Sequence, residues 1–342
     1  MKMQVSPLMA CWQTRTCQVL CVRILVLGAS GLVGRETVLA ALRRGHAVVA
    51  VGGTRSPRVP QGTDSISTDL TDAAGVERLI LDRFPDAVIN AAAIATIADC
   101  EKDPKRAEQI NAALPRRLAQ LCHHIGARFI HLSTDMVFDG EQGRYCSTDL
   151  PLPLHLYGQT KLLGEVGVLS EGKKQACVLR TTLVSANSAT GDRGLHERLF
   201  IDWKAGKQTP LFTEEIRQPV SVTNLADVCV ELCERENLSG LFHWAGSDAM
   251  SRYEMGVKIA EHFGLNPNDH IMPVAYADVP NLGKRPRDLS FELHPLAGKL
   301  KTRAQAFSEI LGELEVPRGC DAWYTEKTGR RIVRRLTQGI DF

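Results

Sequence analysis

The stretch Val22-Arg23-Ile24-Leu25-Val26-Leu27-Gly28-Ala29-Ser30-Gly31-Leu32-Val33-Gly34 decides the fold. Apart from Arg23 its first six residues are apolar, with Val and Ile among them, as in a strand buried on both faces of a parallel sheet. Three glycines spaced three apart follow. From Thr37 to Arg44 a helix pattern then places Val38, Leu39 and Leu42 on one side. Strand, glycine turn and helix form a dinucleotide-binding fingerprint. The glycines let backbone approach a pyrophosphate, and the helix N-terminus offers unpaired N–H groups to the anion. Gly28, Ser30, Gly31, Leu32, Val33 and Gly34 are therefore expected at a cofactor. An ordinary glycine-rich turn is the plainer alternative, and the flanking strand and helix argue against it.

The second strand is expected over His46 to Val51, followed by Gly52-Gly53-Thr54-Arg55-Ser56. An acid at that point would bond the ribose 2′-OH of NAD, whereas an arginine accommodates the 2′-phosphate of NADP. Arg55 stands there with Thr54 and Ser56 as small donors and no acid, which points to NADP(H) and leaves NAD(H) open. A solvated loop charge is the alternative for Arg55. Ser65-Ile66 leads to Asp69-Leu70, where a third strand should end near the adenine. Ala87 to Ala93 reads as a fourth strand running into a small-residue turn, so Ala91, Ala92 and Ala93 should let backbone approach the cofactor. Tight helix packing explains the same alanines.

Further on stand Ser133-Thr134-Asp135 and Tyr157-Gly158-Gln159-Thr160-Lys161. A hydroxyl residue ending a strand, then Tyr and Lys four apart on one helix face, builds a proton donor for carbonyl reduction. An ammonium beside the phenol would lower a pKa that is about 10 in free tyrosine. The pair occurs by chance on many surface helices, and it gains weight from the glycine turn upstream.

These pieces together make the chain resemble an extended short-chain dehydrogenase/reductase, most closely the dTDP-4-dehydrorhamnose reductase (RmlD-like) group. The matching residues are Gly28 to Gly34, Asn90 to Ala93, Asn111, Ser133-Thr134-Asp135-Met136-Val137-Phe138-Asp139-Gly140, and Tyr157 to Lys161 with Gly164-Glu165. Pro219 to Val222, Gly240 to His243 and Arg285 to Ser290 continue the match in family order. The resemblance implies a catalytic set of Thr134, Tyr157 and Lys161, with Asn111 among the cofactor contacts. It also implies hydride transfer from NADPH to a keto carbon of a nucleotide-linked sugar. Tyr157 would give the proton, helped by Thr134, and Lys161 would hold the nicotinamide ribose and bias Tyr157 towards ionisation.

Three departures fall near the substrate. Met136 stands where the family usually has tyrosine, Ala95-Thr96-Ile97-Ala98 replaces Thr-Ala-Val-Asp, and Arg180-Thr181-Thr182-Leu183 lacks a tryptophan. A second reading is a non-catalytic NADP-binding protein resembling the regulatory subunit of methionine adenosyltransferase, which shares the same strings. A third is a sugar-nucleotide epimerase or dehydratase. Dehydratases of this type place Asp-Glu after the threonine, where this chain has Asp135-Met136, and epimerases usually retain NAD.

With 342 residues the chain has room for a Rossmann domain and a smaller lobe. The expected class is α/β, a doubly wound parallel sheet with a smaller α/β substrate-binding lobe. Residues 22–183 with about 215–242 are assigned to the first, about 184–214 and 243–315 to the second. Residues 1–21 read as a disordered extension or a start placed too early, and 316–342 as a tail of little periodicity. A net charge of +2 argues for neither nucleic acid nor membrane surface, and no apolar run reaches the length of about 18 residues that spans a membrane. The ten cysteines show no metal spacing and fit a reducing cytoplasm; Cys229 and Cys233 sit one helical turn apart. His123-His124 ends a helix pattern and His131 lies in a strand, so none of the three is assigned to a metal or to chemistry. The expected partner is a nucleotide-sugar substrate, with a homodimer as the assembly.

Overall fold

Neighbouring residues of the first strand face opposite cores, and that alternation sets the layers. In the computed structural model, which describes residues 21–280, 283–332 and 334, β1 (Arg23–Leu27) sends Ile24 and Val26 to one side and Leu25 and Leu27 to the other. The chain continues through α1 (Leu32–Arg43), β2 (Ala47–Gly52), β3 (Asp64–Ser67), α2 (Ala73–Arg83) and β4 (Ala87–Asn90). Next come α3 (Ile97–Lys102), α4 (Pro104–Glu108), a π-helical turn (Gln109–Ala113), α5 (Leu114–Ile125) and β5 (Arg128–Thr134). A single 3₁₀ turn (Asp135–Val137) precedes α6 (Leu156–Gly172), β6 (Ala176–Thr181), β7 (Val184–Ser185), α7 (Leu195–Lys204) and β8 (Thr209–Phe212). Then follow β9 (Ile216–Arg217), β10 (Val220–Ser221), α8 (Val222–Cys233), β11 (Gly240–His243), β12 (Met250–Ser251) and α9 (Arg252–His262). The last elements are α10 (Pro267–His270), β13 (Ile271–Val274), α11 (Phe307–Leu311) and α12 (Asp321–Thr328).

Seven strands pair in parallel in the order β11-β6-β5-β4-β1-β2-β3. One face is covered by Val38, Ala40 and Ala41 of α1 and by the apolar residues of α8 from Leu225 to Cys233. The other is covered by Val76, Leu79 and Ile80 of α2 and by Leu114, Leu118, Leu121 and Cys122 of α5. Helices on both faces explain why the strands carry continuous apolar runs and no alternation. The strand order reverses between β1 and β4, so a crevice opens at their carboxyl ends, where such sheets bind ligands.

A separate core holds the smaller lobe together. Leu199, Phe200 and Trp203 of α7 pack on Met255, Ile259 and Ala260 of α9 and on Phe307, Ile310 and Leu311 of α11. The stretch after 315, expected as a tail, is part of this core: Val316, Cys320 and Tyr324 are buried in it, and α12 lies within the stretch. The Tyr324 hydroxyl donates to the Phe263 carbonyl at 3.0 Å, and Lys204 donates to Gly319 O at 2.8 Å. Its few apolar residues pack mostly against elements about 60 to 120 positions upstream, so no local periodicity announces them. Residues 1–20, most of the expected extension, and 333 and 335–342 lie outside the described residues.

Candidate active site

The glycine turn is held by close backbone contact. Gly28 and Ala29 donate their N–H groups to the Val51 carbonyl at 2.9 and 3.0 Å. Gly28 has φ 81°, and a Cβ there would lie 2.7 Å from Ala92 N. A Cβ on Gly34 would lie 2.2 Å from the Gly28 carbonyl. The first helical bond of α1 runs from Arg35 N to Gly31 O, and no side chain caps the helix. The N–H groups of Leu32, Val33 and Gly34 therefore precede the intrahelical ladder, the arrangement that receives a pyrophosphate. The helix begins at Leu32, five residues before the apolar pattern does, because the turn delivers the chain directly into helical geometry.

A cleft of about 600 Å³ lies against this turn, lined by Ser30, Gly31, Leu32, Arg35, Arg55 and Arg58 among others. Arg193 reaches it from the segment before α7, along with Asp192. Four arginines thus face two acids, Glu36 and Asp192, and Glu36 pairs with Arg43 at 3.0 Å. The balance is cationic, as the 2′-phosphate of NADP requires. Arg55 was legible from its place after β2; Arg35, Arg58 and Arg193 were passed over.

The other expected cofactor residues divide. Ala91 and Ala92 back the glycine turn, with Ala91 N bonded to Leu27 O at 3.0 Å. Ala93 follows in the same turn, part-buried. Val33 packs against the core, its carbonyl accepting from Thr37 Oγ1 at 2.8 Å. Thr54 is exposed beside Arg55. Asp69 lies two residues past β3, where its Oδ1 takes both Thr71 N (2.9 Å) and Thr71 Oγ1 (2.8 Å). Those bonds hold its carboxyl below the usual range, and Leu70 is buried in the core. Asn111 has a structural part. Its amide is occupied by Ile94 N (2.9 Å), Ile94 O (3.1 Å) and Thr160 Oγ1 (3.1 Å), so it clamps the turn after β4 to α6.

Thr134, Tyr157 and Lys161 converge at the carboxyl end of β5. Thr134 closes the strand, its Oγ1 3.1 Å from Asp135 Oδ1 and within hydrogen-bonding reach of the Tyr157 phenol, so that its single proton serves one or the other. Tyr157 stands in the first turn of α6, half-buried, and Lys161 one turn on, buried. Burial pushes the Tyr157 phenol up to about 12, against the Thr134 bond that lowers it. Burial brings Lys161 down to about 8, with the Glu165 charge opposing. The expectation that Lys161 lowers the Tyr157 pKa does not hold in this structure. The lysine shares the tyrosine's helix face, but its Nζ turns to the Leu132 carbonyl at 2.6 Å and to His131 Nε2 at 3.3 Å. Tyr157 therefore keeps its proton at neutral pH, which is what a donor must do.

Beside them lies a cluster that sequence reasoning did not assemble. Asp135 is buried and accepts from Thr182 Oγ1 at 2.9 Å. Burial raises its carboxyl pKa while Arg217, Thr182, Thr134 and Arg252 oppose the shift. Glu215 pairs with Arg217 (3.1 Å), Arg252 (3.3 Å) and Arg285 (2.9 Å). Burial pushes Glu215 up, but the three arginines outweigh it and hold the carboxyl low. Three guanidinium groups against two carboxylates leave an excess of positive charge next to Thr134. Below, Arg180 forks onto Glu165 (2.7 to 3.1 Å) and Ser133 Oγ donates to the same carboxylate, a buried pair supporting β5 and α6 together. Leu183, where an aromatic was expected, packs against the core of the smaller lobe, and Met136 against Val137 and Phe138. No group of His, Cys, Asp or Glu among the described residues could hold a metal.

The fold and this constellation have counterparts. A family model described as RmlD substrate binding domain matches residues 22–315. The chain belongs to the RmlD substrate binding domain family. It is 33% identical over 293 residues to the probable low-salt glycan biosynthesis reductase Agl14 of Haloferax volcanii, covering 85% of this chain and 96% of that protein. It is 32% identical over 281 residues to methionine adenosyltransferase 2 subunit beta of Rattus norvegicus, covering 80% and 81%. The crystal structure of a hypothetical dTDP-4-dehydrorhamnose reductase from Sulfolobus tokodaii superposes with a TM-score of 0.71 at 33% identity, over 83% of this chain and 97% of that one. Within this RmlD-family chain, the arginine cluster around Glu215 comes from segments up to 70 positions apart, which is why no motif marked it. Arg35 alone carried a local signal, since it directly follows the last glycine of the turn.

Proposed function

We propose that this protein is an NADPH-dependent reductase of a keto group on a nucleotide-linked sugar. The observation that carries the reading is the placement of Thr134 beside a protonated Tyr157, at the end of β5 and at the same carboxyl edge of the sheet as the glycine turn. NADPH supplies the hydride. The N-terminus of α1 and Gly31 receive the pyrophosphate, and Arg55 with Arg35 and Arg58 receives the 2′-phosphate. Tyr157 gives its phenolic proton to the carbonyl oxygen as negative charge develops there, and Thr134 orients the phenol. The excess positive charge of Arg217, Arg252 and Arg285 over Asp135 and Glu215 suits the diphosphate of a nucleotide sugar.

Relatives named as reductases support this reading, and the equally similar methionine adenosyltransferase subunits mark the alternative of a chain that binds the cofactor without turnover. The test is NADPH oxidation with dTDP-, UDP- and GDP-linked keto sugars. Turnover with one of them is the expected result; tight NADPH binding with no turnover on any would assign the chain to the regulatory class. A homodimer is the assembly we carry forward, since α6 exposes Leu163 and Val166 to solvent. A cytoplasmic location fits the cysteines, which are free among the described residues.

A further inference from the structure

The hydrogen bonds around Lys161 run in one direction, and His131 transmits that direction. Ala92 N donates to Asn90 Oδ1 at 3.1 Å, which fixes which end of the Asn90 amide faces which neighbour. Asn90 Nδ2 then faces His131 Nδ1 at 3.2 Å, so Nδ1 accepts and carries no proton. The neutral imidazole keeps its proton on Nε2, 3.3 Å from Lys161 Nζ. Lys161 already donates to Leu132 O at 2.6 Å. An ammonium has three donors and no lone pair, and would meet Nε2–H donor against donor. A neutral amine accepts that proton and satisfies the whole chain.

The surroundings agree. Burial lowers Lys161 to about 8, and burial with the lysine charge holds His131 well below its ordinary value. The titratable groups that bear on the lysine are Glu165, one turn on along α6, and His131 on β5, and Arg180 on β6 pairs with that same Glu165. Glu165 is engaged by Arg180 and Ser133, so it offers Lys161 little uncompensated charge. From α5, Arg116 pairs with Glu171 at the far end of the helix.

We propose that His131 is a positioning residue that favours the neutral amine of Lys161 in the free protein, so that in alkaline solution NADPH binding is coupled to uptake of one proton by Lys161. The inference rests on the reading of Lys161 as the residue that meets the nicotinamide ribose. The step balances simply: the Nζ lone pair takes a proton from solvent, the contact with Nε2–H is given up, and the new N–H is free for a hydroxyl oxygen. Cofactor affinity then falls as pH rises above 8, because each bound NADPH needs a proton that is scarcer.

Calorimetric titration of the full chain with NADPH in buffers of different ionisation enthalpy reads the proton count directly. Expected uptake approaches about one proton at pH 9 and falls to roughly a tenth at pH 7, where a group of pKa near 8 is already charged. The 2′-phosphate, with a second pKa of about 6, does not titrate at the upper pH. His131→Gln offers Lys161 a carbonyl oxygen, and Asn90→Asp makes Nδ1–H the donor and Nε2 an acceptor without touching His131. Each should at least halve the uptake at pH 9 and move the onset of weakening upward by about one pH unit. Asn90→Asp decides the matter if His131→Gln does not fold. Wild-type binding without proton uptake, or uptake unchanged in the folded variants, overturns this proposal and leaves the reductase reading standing. No NADPH binding by the wild type at any pH overturns both.

Discussion

At the cofactor end of the crevice, three turns meet through backbone: Gly28 against Ala91 and Ala92, and Gly28 and Ala29 against the Val51 carbonyl. At the proposed substrate end, Asp135, Thr182, Glu215, Arg217, Arg252 and Arg285 meet through side chains carried by separate segments. Backbone contact leaves a trace in the residues that make it, because at Gly28 and Gly34 no Cβ fits. Side-chain contact leaves almost none, since an arginine looks the same whether it is solvated or paired. The two ends should therefore respond differently to substitution.

The largest effect is expected at their shared base. Arg180→Leu would leave the Glu165 carboxylate buried without its cation, costing about 3–5 kcal/mol of folding stability. Urea denaturation measures it, and a loss below about 1 kcal/mol would mean that Glu165 simply takes up a proton. Next is the donor: Tyr157→Phe should keep NADPH binding and lose turnover by about a hundredfold or more. Full activity in that variant would remove Tyr157 from the chemistry and with it the link between the two ends.

Arg55→Ala probes the cofactor end alone. With Arg35 and Arg58 still lining the cleft, NADPH affinity should drop about tenfold while NADH affinity stays constant. Equal wild-type affinities for NADPH and NADH would overturn the phosphate assignment. The smallest effect is expected at the substrate end. With Met136 and Leu183 in place of aromatics, efficiency on dTDP-4-dehydrorhamnose should be weak relative to another keto sugar of the panel. Met136→Tyr should raise kcat/KM for it by about threefold to tenfold, the scale of one added aromatic contact. Strong wild-type preference for that substrate would show that the arginine cluster alone suffices for recognition.

Which residues were legible follows the same division. Gly28 and Gly34 stand out in the sequence because steric exclusion leaves no room for a Cβ at either. Thr134, Tyr157 and Lys161 could be grouped from the sequence because strand end and helical spacing place them near one another. Lys161's actual partners were not: His131 was read as strand packing, and only the pairing of β4 with β5, Asn90 opposite His131, brings the amide and the imidazole into one chain. Asn111 was assigned to the cofactor by resemblance, yet its amide is consumed by Ile94 and Thr160.

From the order of its residues alone this chain is a parallel α/β protein with a dinucleotide turn and a Tyr–Lys pair, because each of those rests on local periodicity or on the size of a side chain. Tertiary structure decided the rest: that Lys161 faces Leu132 and His131 instead of the phenol, that four arginines line the cleft beside the glycine turn, and that Tyr324 of the supposed tail anchors the smaller lobe. The physical reason is that charge, proton placement and burial depend on what lies within a few ångströms in space, and those neighbours come from distant parts of the chain.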